Sequence, residues 1–169
     1  MNKQPAFSML IVVAVLLAAI TPIHSSVKSR PTFRGAWFSI SYPPGFIVRP
    51  SMKSATTGGK GFDSAFFVSP DGKVEFYIYS PQWSGEPTDV ALKPNTEKLI
   101  STKTVKTNDK TTIWSTISAK NGSYTRSLLD IKDSSTRRVF GIKYADPKTL
   151  AKYKKHYQKF KESLVQYAD

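Results

Sequence analysis

The sequence predicts an α+β fold: an antiparallel β-sheet of about six to eight strands, arranged as hairpins and a meander, with a C-terminal amphipathic α-helix packed on one face. Three observations predict it. Strand-like runs in the second half follow at even spacing, joined by turns too short for crossover connections. A strong hairpin signal precedes them. Near the C-terminus the apolar period changes from two to that of a helix.

The first element is an address. Lys3 supplies a positive start, Met9 to Ile20 is an unbroken apolar run of 12 residues, Pro22 interrupts it, and the small Ser25 and Ser26 follow. This is the layout of a cleaved secretory signal over residues 1–26, and the run is shorter than the roughly 20 residues of a membrane span. The alternative is an uncleaved N-terminal anchor. No cysteine is present, so no lipid can be carried on one. Cleavage removes Lys3 and no acid, so the mature chain stays strongly basic, with no transmembrane span. The expected location is the periplasm or the exterior.

Residues 27–36 form a basic lead-in, expected to be flexible, and residues 37–169 a single domain. Trp37 to Tyr42 reads as a strand stopped by Pro43-Pro44-Gly45; Phe46 to Arg49 resumes it until Pro50. Ser54 to Gly61, all small residues apart from Lys60, reads as a mobile loop. Ser64–Val68 and Lys73–Tyr79 flank Ser69-Pro70-Asp71-Gly72, where proline, aspartate and glycine occupy the positions a tight turn uses. Val74, Phe76 and Ile78 alternate with more polar neighbours, so one face of that arm is dry. Pro81 to Pro94 is a proline-rich connection with at most one helical turn near Asp89 to Leu92.

The meander then runs through strands at about Thr96–Lys106, Thr111–Ala119, Tyr124–Lys132 and Arg137–Tyr144. Its joints are Asn108-Asp109, Asn121-Gly122 and Asp133-Ser134-Ser135. Asn121-Gly122-Ser123 also matches a glycosylation sequon, but Asn-Gly between strands is more simply a type I′ turn. Asp146-Pro147 opens a helix as N-cap and first-turn proline. Leu150, Tyr153, Tyr157, Phe160, Leu164 and Tyr167 recur at helical spacing over about 20 residues. Lys148, Lys152, Lys155 and Lys159 lie opposite.

The segment Trp37 to Phe46 resembles the opening strand of PsbP/Mog1-like proteins, an aromatic strand leading into Tyr-Pro-x-Gly-aromatic. The ending is similar too, a last strand followed by a helix closing on Tyr157 to Leu164. The resemblance covers most of Ala36 to Tyr167 and points to an uncharacterised bacterial exported family of that shape. It implies an antiparallel sheet flanked by helices and a non-enzymatic accessory or binding role. It carries over no catalytic residue. The chain departs from the pattern in lacking a long middle helix, because Pro81 to Pro94 is too proline-rich to form one.

Composition narrows the function. The chain has 169 residues, 25 Lys+Arg against 12 Asp+Glu, a net charge of +13, two histidines and no cysteine. Thiol chemistry, Cys-based zinc sites and disulfides are excluded. His24 leaves with the signal, so His156 is the remaining histidine. No Gly-x-Ser-x-Gly elbow is present, and Gly58-Gly59-Lys60-Gly61 lacks the frame of a phosphate loop. A hydrolase would have to act through Asp63, Glu75 or His156, and surface ion pairs are the simpler use of those acids. No catalytic residue, cofactor or metal is expected.

What remains is charge with aromatics. Arg137, Arg138, Lys148, Lys152, Lys155 and Lys159 are the candidate anion- or partner-binding surface. Its ordinary reading is a solvated helix face. Trp37, Trp83 and Trp114, with Tyr77, Tyr79 and Tyr124, include a possible stacking platform, although such residues in sheets are mostly core or cross-strand pairs. The leading expectation is a non-catalytic exported accessory module for an unknown protein partner. The first rival is an electrostatic binder of anionic envelope lipids or glycans through the basic helix. Nucleic acid is not an expected partner of an exported chain.

Overall fold

The computed structural model describes residues 29–83 and 85–167. The expected signal, residues 1–26, lies outside them. Ten strands and one α-helix run in the order β1 Thr32–Arg34, β2 Phe38–Ser41, β3 Ile47–Pro50, β4 Ser64–Val68, β5 Val74–Tyr79, β6 Glu97–Lys106, β7 Lys110–Ala119, β8 Thr125–Asp133, β9 Arg137–Tyr144, α1 Pro147–Glu162 and β10 Val165–Gln166. A short 3-10 turn, Thr88–Val90, is the one helical turn among the described residues of the proline-rich connection.

Two antiparallel sheets result. The larger has seven strands in the order β3-β4-β5-β9-β8-β7-β6, and the smaller three in the order β1-β2-β10. The α+β class and the meander from β6 to β9 are as the sequence predicts. The strand count is higher, because two very short strands, β1 and β10, flank β2, the first as a local hairpin and the second through tertiary contact. β1 lies within the supposedly irregular lead-in and pairs Phe33 with Ile40. β10 occupies residues expected to be helical.

The helix starts where expected. The Asp146 carboxylate accepts the Thr149 backbone N–H at 2.8 Å, and Pro147 fills the first turn. It stops at Glu162, short of the apolar stripe's end. The Ser163 hydroxyl donates to the Ser41 carbonyl at 3.1 Å and accepts the Ser41 N–H at 3.0 Å, tying the helix end to β2. The chain then runs extended as β10 against β2, and Tyr167 N–H donates to the Trp37 carbonyl at 2.9 Å.

One face of the large sheet meets α1 and the small sheet. There Phe38, Phe67, Phe76, Ile78 and Phe160 are fully buried, with Phe140 and Ile142 from β9. Phe160 stands 5.1 Å edge-on to Phe67 and 5.3 Å from Phe76, centroid to centroid, a geometry aromatic rings favour beyond simple burial. On the opposite face Tyr77, Tyr79 and Val139 are closed over by Val90 of the 3-10 turn and by Met52. At the end of the sheet away from β3, β6 is exposed after Glu97 and is one of the two edge strands. A register shift between Leu99 and Ser101 and the charges of Lys98, Lys103 and Lys106 protect that edge from pairing with other strands.

Two loops differ from expectation. Ser54 to Gly61 is anchored: Ser54 is 1% exposed, its N–H donates to the Gly61 carbonyl at 3.2 Å, and the Trp37 indole N–H reaches Thr56 Oγ1 at 2.7 Å. The hairpin at Asn121-Gly122 is not type I′, which needs positive φ at both central residues. Only Gly122 has it (+74°), and Asn121 Oδ1 instead accepts the Ser123 N–H at 3.0 Å, closing a longer loop.

Candidate functional site

The basic surface separates into two kinds of residue. Arg137 and Arg138 are adjacent on β9, so their side chains leave opposite faces of the sheet. Arg137 is 4% exposed; its guanidinium holds Asp130 through Nε at 3.1 Å and Nη2 at 2.7 Å, and reaches Glu86 and the Gly85 carbonyl through Nη1. Arg138 donates to Asp133 Oδ2 and to Gln166 Oε1, each at 3.2 Å. Both arginines are therefore structural ties that fix the β8–β9 turn, the proline-rich connection and β10. Neither joins the lysines of the helix.

The lysines do form one face. Lys148, Lys152, Lys155 and Lys159 are all exposed and share one side of α1, whose buried side holds Thr149, Tyr153 and Phe160. Glu162 is the only acid within the helix. Among the described residues, Lys152 is the one lysine of α1 at ion-pair distance from a carboxylate, 3.2 Å from Asp71. An exposed pair of this kind is worth little and exchanges readily. Asp71 also accepts the Ser69 hydroxyl at 2.6 Å, the Lys73 N–H at 3.1 Å and the Tyr153 hydroxyl at 3.1 Å. The hydrogen bonds from Ser69 and Lys73 hold its carboxyl well below the usual carboxylate range, so it stays ionised and pins the β4–β5 turn to the helix.

The residues of the hydrolase alternative do not converge. The Ser80 N–H bonds the Asp63 carbonyl while Glu75 pairs with Val68, so the two acids sit at opposite ends of the β4–β5 hairpin, five positions apart along β5. At about 3.3 Å per residue their backbones are about 16 Å apart, too far for paired-carboxylate hydrolysis. Glu75 is engaged by Arg49 and by Lys143. His156 lies on the exposed side of α1, with its ring 6.2 Å from that of Tyr153. Asp63 is nearly buried and its Oδ1 has no hydrogen-bond partner; burial pushes its carboxyl above the usual range, offset in part by a hydrogen bond with Ser54.

The aromatic set also divides. Tyr77 and Tyr79 are core, and the Tyr124 hydroxyl donates to Glu97 at 2.8 Å. Trp114 is exposed on β7, with the Lys103 ammonium 6.0 Å from its ring centre. Trp37 and Trp83 border one cleft. Sequence reasoning did not find the buried ion pair of Glu97 and Arg126, because a charge in an antiparallel strand reads as a solvent-facing residue.

No family model matches the chain, and no curated protein matches it. Solved structures do. The solution structure of cyanobacterial PsbP (CyanoP) from Synechocystis aligns with a TM-score of 0.50 at 9% identity, over 89% of this chain and 99% of that one. The Ran-binding protein Mog1p of Saccharomyces cerevisiae aligns with a TM-score of 0.40 at 11% identity, over 83% of this chain and 97% of that one. A Bacteroides thetaiotaomicron protein aligns with a TM-score of 0.43 at 15% identity, over 81% of this chain and 47% of that one. The chain has a PsbP-like fold. At these identities the likeness speaks of fold alone.

Proposed function

We propose that this chain is a non-catalytic exported binding module whose contact surface is the lysine face of α1 and whose counterpart is a multivalent anionic surface of the cell envelope. The observation that carries the reading is the separation just described. Arg137 and Arg138 are consumed inside the fold, whereas Lys148, Lys155 and Lys159 project from one helix side with no carboxylate at ion-pair distance among the described residues. The signal-like residues 1–26 support delivery to the envelope. The apolar side of α1 is occupied by the sheet, so contact is electrostatic and does not involve insertion.

The magnitude is adequate. A lysine near an anionic bilayer contributes about 1 kcal/mol, so three contribute about a hundredfold in affinity. The test is cosedimentation of the purified protein with vesicles of phosphatidylglycerol in phosphatidylcholine and, separately, with lipopolysaccharide. Binding to either that is lost in the triple variant Lys148→Glu, Lys155→Glu, Lys159→Glu supports the reading and identifies the source of the anion. Binding that survives charge reversal, or capture of one envelope protein instead of lipid or glycan, contradicts it.

A further inference from the structure

A cleft of about 390 Å³ opens at the junction of the two sheets, away from the lysine face of α1. Four segments distant in sequence build it: Trp37 before β2, Pro81 to Trp83 after β5, Ser135 and Thr136 in the β8–β9 turn, and Gln166 and Tyr167 at the end of β10. Its volume is at the small end of ligand sites. A second hollow of about 360 Å³, lined also by Lys132, Asp133 and Arg137, shares Trp83, Ser135 and Thr136 with it. Trp83, 60% exposed, thus borders both hollows.

The walls are fixed without a ligand. The Trp37 indole N–H donates to Thr56 Oγ1 at 2.7 Å and Ser54 Oγ at 3.2 Å, so the ring is held by its polar edge. Gln166 is held at both ends of its amide, donating to Ser80 Oγ at 3.0 Å and accepting from Arg138 at 3.2 Å. The Tyr167 ring lies under the Arg34 guanidinium at 5.3 Å. Thr136 is held by Asp133, whose Oδ1 accepts its N–H at 2.8 Å and its hydroxyl at 2.7 Å.

The lining chooses the ligand. Among the described residues the lining itself carries no charged side chain, although the chain carries a net charge of +13. The nearby Arg138 is already paired with Asp133, and the Arg34 guanidinium lies over the Tyr167 ring, so the lining favours an uncharged ligand. The aromatic residues Trp37, Trp83 and Tyr167 line it together with amide and hydroxyl residues, and Trp83 is the exposed ring among them. A pyranose presents the complementary pattern, with weakly positive C–H groups on its flat face and hydroxyls around its edge. A proline-rich peptide, which also docks on aromatic grooves, would ask mainly for backbone donors, and the Trp37 N–H is already committed to Ser54 and Thr56. The hydroxyl and amide groups of the lining match the many hydroxyls of a sugar better. We infer that the cleft between Trp37 and Trp83 is a binding site for one end of a neutral glycan, stacked on Trp83. This inference is independent of the lysine face.

An array of neutral glycans, acidic glycans and proline-rich peptides tests it, probed with the purified protein and three variants at 150 and 500 mM salt. The wild type is expected to bind neutral glycans at both salts. Trp83→Ala, at an exposed position, should lose at least tenfold in that signal. Trp114→Ala and the α1 charge-reversal variant should keep it. No signal on neutral glycans, a neutral-glycan signal untouched by Trp83→Ala, or capture of the proline-rich peptides instead would each overturn the assignment. Signal confined to acidic glycans and erased by salt would overturn it too, while leaving the reading of α1 intact.

Discussion

Arg126 grips Glu97 through two hydrogen bonds, Nε to Oε1 at 2.8 Å and Nη2 to Oε2 at 2.7 Å, at a site where the residues are 7% and 3% exposed. Two more of the guanidinium N–H groups donate to the carbonyls of Val90 at 2.7 Å and Ala91 at 3.1 Å. The Tyr124 hydroxyl and the Lys93 N–H complete the carboxylate's shell. The pair thus clamps the proline-rich connection onto the start of β6 and the middle of the sheet. Removing one member leaves a buried, unpaired charge. Arg126→Met should cost about 3–5 kcal/mol in denaturant unfolding, and the double replacement Glu97→Leu, Arg126→Met should recover part of that loss.

The same pair sets an acid limit. Burial alone would raise the Glu97 carboxyl, but the Arg126 guanidinium, the Lys93 N–H and the Tyr124 hydroxyl outweigh it and lower the value from 4.5 to about 2. A carboxylate held below its unfolded value stabilises the fold above that value, and the contribution disappears as pH falls through the folded one. Between about pH 4.5 and pH 2 the wild type should therefore lose on the order of 2–3 kcal/mol from this group. Thermal unfolding across that window should fall less steeply in Glu97→Gln than in the wild type. Parallel profiles would contradict the assignment.

Asp63 should behave in the opposite sense. Its carboxyl is raised by burial, with Oδ1 lacking a partner. The folded state therefore holds the proton more tightly than the unfolded chain, and stability falls as pH rises through the folded value. Asp63→Asn removes the ionisation, so the variant should gain on the wild type at pH 7 and lose that advantage toward pH 4. Melting temperatures at the two pH values give the comparison.

The helix cap makes a smaller, cleaner prediction. Asp146 satisfies both the N–H and the hydroxyl of Thr149, at 2.8 and 2.9 Å. Asp146→Ala should cost about 1 kcal/mol, without altering the lysine face. Equilibrium unfolding reads the first effect and vesicle binding the second.

What the sequence made legible was local. The β4–β5 turn could be read from Pro70, Asp71 and Gly72, and the start of α1 from Asp146 and Pro147, because the residues that shape those turns lie within them. The end of α1 was not legible, since Leu164 and Tyr167 keep helical spacing. The Ser163 hydroxyl bonds with Ser41, far away in sequence, and the chain passes into β10. Arg137 read as part of a basic surface for the same reason that Arg126 escaped notice: in a strand, a buried charge and a solvated one look alike until the partner's position is known. Trp37 and Trp83 stood out as aromatic, but only the tertiary fold brings them to one cleft.

The central claim, that α1 binds an anionic surface through exposed lysines alone, is tested most directly by the salt dependence of wild-type binding to phosphatidylglycerol-containing vesicles and to lipopolysaccharide. Charges exposed to solvent are screened over about 10 Å at 0.1 M salt and about 3 Å at 1 M. The account predicts that affinity for at least one of the two falls at least tenfold between 50 and 300 mM salt, with no binding to neutral vesicles at either. An affinity that holds across that range, equal binding to neutral vesicles, or no binding to either anionic surface at low salt would contradict it.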